Sequence, residues 1–312
     1  MNKVYNTVWN ESTEMWVVTS ELTRKGGRRP RQIRRTALAG LIAGLLLPSA
    51  PALATDYKNQ TLESGGTSPS MSLSAGDTAT NTTINRGGML SVSSGGSATS
   101  TTINGGGLQY VYSGGSATST TINSGGQQRV SSGGSATSTT INSGGHQNVS
   151  SGGSATSTTI NSGGQQRVSS GGSATGTTIN SGGQQSVSSG GSATSTTINS
   201  GGMLSVSSGG SAVDITQNSG GIIFADTSAT LRGTNINGSF SIAGGSASNM
   251  LLENGGYLSV LNGHQATSTT INSGGFQNVF SGGSATSTTI NSGGYQNVSS
   301  GGSATSTTIN RG

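Results

Sequence analysis

This 312-residue chain has no cysteine, only two histidines, 7% charged residues and 4% aromatics. Without cysteine there is no disulfide framework. So few apolar and aromatic side chains cannot fill a conventional globular core. No helical apolar stripe appears after residue 54. The histidines, His146 and His264, occupy different repeat positions, so they do not converge as metal ligands. The calcium-binding nonapeptide of other β-coils, which needs Asp in a G-G-x-G-x-D pattern, is missing. No G-K-[ST] follows any glycine pair, so the glycines do not read as phosphate loops. Clustered carboxylates are also lacking, which counts against a polysaccharide-cleaving enzyme. No catalytic role, metal or cofactor is expected.

The net charge of +5 is misleading. Residues 1–54 hold eight basic and three acidic side chains, and therefore the whole excess. Residues 55–312 hold six of each. The main body is neutral in total and has no basic footprint for nucleic acid.

What is present is a 19-residue period, close to GGSATSTTINSGGQQRVSS. Ile recurs at 84, 103, 122, 141, 160, 179 and 198, then at 271, 290 and 309. Val keeps the same step from Val92 to Val206, and again at 260, 279 and 298. High Gly, Ser and Thr content alone would suggest disorder. Disorder does not require Ile and Val to keep step, whereas a solenoid does.

Paired glycines mark corners where φ is positive or backbones approach closely. In one unit, Gly125-Gly126 and Gly133-Gly134 bracket two extended pieces, 127–132 and 136–142. Alternation puts Gln128 and Val130 inward and Gln127 and Arg129 outward. Thr139 and Ile141 share a face. Ala136 lies at an odd separation from Ile141, so a bend must intervene if both point inward. Asn142 and its counterparts from Asn85 to Asn310 stand in register, as a hydrogen-bonded column would.

The expected fold is all-β: a parallel β-helix of Gly/Ser/Thr-rich repeats, about one turn per repeat. About thirteen turns at ~4.8 Å each give a rod on the order of 60 Å. The expected organisation is a signal at 1–54, an N-terminal cap at 55–82 and regular repeats at 83–211. Degenerate repeats follow at 212–264, where the rhythm loses three residues, then regular repeats at 265–312. The degenerate stretch reads as a fatter section of the same core.

The first 54 residues form an export signal. A basic run, Arg28 to Arg35, precedes an apolar stretch, 37–47, too short to span a bilayer. Ala52-Leu53-Ala54 supplies a small-residue site, with cleavage expected after Ala54. The preceding Asn-Lys-x-Tyr-x-x-x-Trp opening and the Trp-Val-Val-x-Ser-Glu-Leu block resemble the extended signal region of large Gram-negative autotransporters. The repeat Ser-Gly-Gly-Ser-Ala-Thr-Ser-Thr-Thr-Ile-Asn-Ser-Gly-Gly-x-Gln-x-Val resembles the passengers of self-associating autotransporter adhesins.

That resemblance implies export, periplasmic transit and display at the outer membrane. It further implies attachment to a host-cell receptor or glycan, self-association between cells, autoaggregation and biofilm formation. It also implies O-glycosylation of repeat serines by a cytoplasmic heptosyltransferase, at positions left unassigned. Relatives end in an outer-membrane barrel of alternating strands. No such pattern follows the last repeat, so a translocator is expected to be absent. The candidate adhesive face is the outward aromatics Tyr110, Tyr112, Tyr257, Phe276, Phe280 and Tyr295. The alternatives are a structural stalk, or a truncated and non-functional passenger.

Overall fold

The computed structural model describes residues 5–10, 15–20 and 53–310. Within the signal region, Tyr5–Asn10 and Met15–Ser20 pair as an antiparallel hairpin. The apolar stretch at 37–47 and Ala52 lie outside the described residues; Ala54 is exposed.

From Asp56 onward the chain winds as a parallel coil, with strands of successive turns paired side by side in register. In the turn spanning 127–145, the strands are Gln127–Val130, Ser135–Thr137 and Thr140–Ile141. Each pairs in parallel with the residue 19 positions on, as Val130 with Val149, Ala136 with Ala155 and Ile141 with Ile160. The first row builds a twelve-stranded sheet, and the coil has about 13 turns. Residues 55–82, expected as a cap, already wind as coil. Asp56 pairs with Thr78 and Leu62 with Ile84, across a longer, 22-residue turn.

Sequence reasoning gave two extended pieces per turn; the structure has three. The second piece breaks at Ser138, which sits at φ 56°. This is the bend that brings both Ala136 and Ile141 inward, and each is fully buried. The two glycines of a corner have different tasks. Gly133 takes φ +78° in open space. Gly134 has no such φ, but a Cβ there would stand 2.2 Å from the Val111 carbonyl oxygen. One glycine serves the dihedral and the other the close approach of neighbouring turns.

The core is a column of Ile, Val and Ala with a polar spine through it. Gln109, Gln128, Gln147, Gln166 and Gln185 are all buried. Each Nε2 after the first donates to the Oε1 one turn below, at 2.6–2.7 Å. Buried threonines lock the spine: Gln147 Nε2 donates to Thr139 Oγ1 at 3.2 Å, and Thr158 Oγ1 donates to Gln147 Oε1 at 3.3 Å. Such burial is tolerable because nearly every polar atom is satisfied. Three buried side-chain atoms among the described residues lack a partner: Gln217 Oε1, Asn278 Oδ1 and one that marks the end of the spine. Where Leu90 replaces Gln, Thr82 Oγ1 is buried without a partner.

At one corner the asparagines form the expected column. Asn142 Nδ2 donates to Asn123 Oδ1 at 2.9 Å, and the pattern runs from Asn218 down to Asn85. Each end acceptor is a carboxylate. Asn85 donates to Glu63 Oε2 at 3.1 Å, and in the second column Asn272 donates to Glu253 Oε2 at 3.4 Å.

The stretch at 212–264 is not simply a set of degenerate turns. Strands Thr230–Asn235, Gly238–Ala243 and Ser246–Ser248 run as an antiparallel meander. The parallel sheet skips over it, and Phe224 pairs directly with Tyr257. The loss of three residues from the rhythm suggested degenerate turns. Two turns and an antiparallel excursion use the same residues, because Asn235-Ile236-Asn237-Gly238 supplies a tight reversal with Gly238 at φ +105°. The apolar side chains Leu231, Phe240 and Ile242 still join the common core, as expected.

Candidate adhesive face

The twelve-stranded sheet turns the first and third residues of each strand outward. Following the third residue by backbone register gives one continuous line. It runs through Tyr110, Arg129, Asn148, Arg167, Ser186 and Ser205 to Phe224. Across the meander, Phe224 faces Tyr257, the first residue of its strand, and the line continues through Phe276 to Tyr295. The meander therefore shifts the register by two residues. Tyr110 and Tyr257, which occupy different repeat positions, stand on one ladder.

Three of the six expected residues come together. Tyr257, Phe276 and Tyr295 stack with Phe224 in an unbroken pile. Ring centroids are 5.6, 6.1 and 5.7 Å apart, with interplanar angles of 19°, 20° and 26°. Tyr257 and Phe276 are half-buried because neighbours cover both ring faces. Tyr295, at the end of the pile, is 59% exposed. Asn278 Nδ2 donates to the Tyr257 hydroxyl at 2.6 Å. Tyr110 lies six rungs from Phe224 and carries Arg129 over its ring, 5.5 Å from the centroid. Tyr112 and Phe280 lie off the ladder, one residue past their strands, with 37% and 41% exposure. Phe224 was missed by sequence reasoning: it keeps the 19-residue step from Ser205, but it lies in the stretch read as a fatter core, and its pairing with Tyr257 depends on the register shift that follows it.

The serines form exposed columns at the corners. Ser132 and Ser138 sit at φ 49° and 56° and reach solvent. Ser143 is also exposed, but its Oγ lies 2.7 Å from where a Cβ on Gly163 would be. Glycine in the next turn therefore makes room for each serine of that column. Among the described residues, no group of three His, Cys, Asp or Glu is placed to hold a metal. A shallow hollow of about 610 Å³ lies on the meander, bordered by Asp214, Arg232 and Ser241.

A parallel β-coil with stacked, outward-facing side-chain columns defines an elongated display scaffold. A family model described as "Adhesin of bacterial autotransporter system, probable stalk" matches residues 57–107, 107–164, 141–183, 151–202 and 232–294. These segments cover more than half of the chain, and the chain belongs to that family. A second model, the "Extended Signal Peptide of Type V secretion system", matches residues 1–50 and marks the chain for export.

Among curated relatives, "Autotransporter CRAC" of Citrobacter rodentium is 89% identical over 88 residues, 28% of this chain and 6% of that protein. "Autotransporter adhesin/invasin TibA" of Escherichia coli is 80% identical over 88 residues, 28% of this chain and 9% of that protein. These matches span less than a tenth of the length of either relative. Among solved structures, the "TibC-catalyzed hyper-glycosylated TibA55-350 fragment" superposes with a TM-score of 0.63 at 50% identity. That match covers 83% of this chain and all of the fragment.

Proposed function

We propose that this chain is the passenger of an autotransporter adhesin, carried to the cell surface and used for attachment, autoaggregation and biofilm formation. The observation that carries this reading is the likeness of the coil to the whole TibA fragment, at 50% identity. The export signal agrees with it, and cleavage falls after Ala54. The reading is non-enzymatic. Its partners are a host-cell receptor or glycan and other copies of the passenger.

The same likeness supports glycosylation of repeat serines by a sugar transferase of the kind that modified the fragment. Ser132 and Ser138, with their serine counterparts in other turns, offer exposed side chains. Intact mass of the exported chain from native cells, with fractionation, tests this. A regular sugar increment on surface material is expected. Unmodified chain retained in the periplasm would count against both display and modification.

One observation favours a second reading, a stalk that carries a binding tip. The faces of Tyr257 and Phe276 are filled by neighbouring rings, so only ring edges meet a partner. Replacing Tyr257, Phe276 and Tyr295 with Ser separates the two. Adhesion lost from a folded variant supports an adhesive face; adhesion unchanged supports a stalk.

A further inference from the structure

The neutral total of the coil conceals a sorted distribution. Between Asp77 and Asp214 there is no acidic residue at all, while Arg86, Arg129 and Arg167 lie in that span. Arg129 and Arg167 stand on the same outward ladder, two rungs apart, with Asn148 between them. Two rungs of sheet measure about 10 Å.

Both guanidinium groups are held in the same way. Arg129 Nη2 donates to Gln127 Oε1 at 3.3 Å, and Arg167 Nη2 donates to Gln165 Oε1 at 3.2 Å. Each glutamine lies two residues earlier on the same strand face. Both arginines are exposed, and neither has a carboxylate partner: the ion pair among the described residues is Lys58–Asp56. Arg129 is further positioned by the Tyr110 ring. Guanidinium forks oriented in advance lose less entropy when they bind a carboxylate.

We propose that this face binds a linear acidic polysaccharide with one carboxylate per disaccharide, lying along the coil axis. An extended chain of 1,4-linked or alternately linked sugars advances by roughly one rung per sugar. Every second sugar then meets an arginine, and the sugar between them meets Asn148. The amide of Asn148 can donate to and accept from hydroxyls. The absence of acid along this stretch keeps a polyanion from being repelled. The inference rests on the adhesin reading for its biological setting, but the site itself does not.

The test is fluorescence polarisation of labelled hyaluronan with the full chain at low salt. Dextran and polyglutamate serve as competitors. Hyaluronan is expected to bind and dextran not to compete. Arg129→Gln and Arg167→Gln should each weaken binding about fivefold. Arg86→Gln, at a corner off the ladder, should leave it unchanged. Spacing is tested by moving the charge. In the Arg129→Gln background, Ser205→Arg restores a pair two rungs apart and should recover binding. Ser186→Arg gives a pair one rung apart and should not.

No hyaluronan binding by the wild-type chain would overturn the proposal. So would polyglutamate competing as well as hyaluronan, or equal rescue by both relocated arginines; each would leave a spacing-blind basic patch or nothing. Because the assay runs in solution, none of these failures bears on display or adhesion.

Discussion

Gln147 donates from Nε2 to Gln128 Oε1 across one turn at 2.7 Å, and neither side chain is exposed. The amides of the interior glutamines Gln128, Gln147 and Gln166 each serve four partners, so the middle of the spine is an all-or-nothing arrangement. Replacing Gln147 with Leu leaves the Thr158 O–H and one N–H of Gln166 without an acceptor. The expected loss is about 2–3 kcal/mol, measured as a lower midpoint in urea unfolding. Adding Thr158→Val should deepen that loss, because Thr158 Oγ1 also accepts the other N–H of Gln166.

Thr82→Val should act in the opposite direction. Its hydroxyl is already buried without a partner. Removing it is expected to be neutral or to stabilise by about 1 kcal/mol, read from the same unfolding curves. A clear loss of stability would mean that the hydroxyl has a partner after all.

The division of labour within a glycine pair is open to a direct comparison. Gly133→Ala meets open space and costs only the strain of positive φ, about 1 kcal/mol. Gly134→Ala drives a methyl group against the Val111 carbonyl and should cost several times more. Denaturant midpoints for the two variants should therefore differ widely.

Much of this was legible in advance, and the misses have physical causes. Ile, Val, Asn and the glycine pairs announce themselves because each position admits few residue types. The third corner was hidden because Ser138 usually fills it, and serine does not advertise a left-handed conformation. Gly176, Asn81, Asp214 and Asn249 occupy the equivalent position in other turns at φ 54–67°. That set of left-handed formers was the available signal. The inward face of Gln128 was readable, but not its bond to a threonine from another strand. Phe224 was out of reach because counting residues fixes the length between two turns and not the register with which the sheet resumes.

Asp77 ties down the start of the coil and makes it sensitive to acid. Its carboxylate accepts from the backbone N–H of Thr55 at 2.8 Å and of Ser74 at 3.0 Å, and these bonds, Thr55 first, hold its pKa below the ordinary value. A lowered folded pKa means the contribution is complete above about pH 4 and fades as pH falls through the folded value. Amide exchange at Thr55 and Ser74, corrected for intrinsic rates, should rise in that acid window. Asp77→Asn should abolish the pH dependence.

The carboxylate ends of the asparagine columns offer a last check. Each column aligns its amide N–H groups toward Glu63 or Glu253. Glu253→Gln keeps an acceptor and removes the charge, with an expected loss of about 1 kcal/mol. Glu253→Ala removes both and also frees the Gly220 N–H, so it should cost more. Equal losses would show that the charge carries the whole effect, and an unchanged Glu253→Gln that it contributes nothing.

Turns that touch only their neighbours, through contacts repeated every 19 residues, are interchangeable parts. Recombination between near-identical stretches of the gene can add or delete one without giving any remaining side chain a new environment. Reach then becomes a heritable quantity, adjusted in increments of ~4.8 Å. The two-residue change of phase at the meander sets the boundary of that freedom. Exchange within either half preserves the surface lines, whereas exchange across it would carry an aromatic from one line to the next.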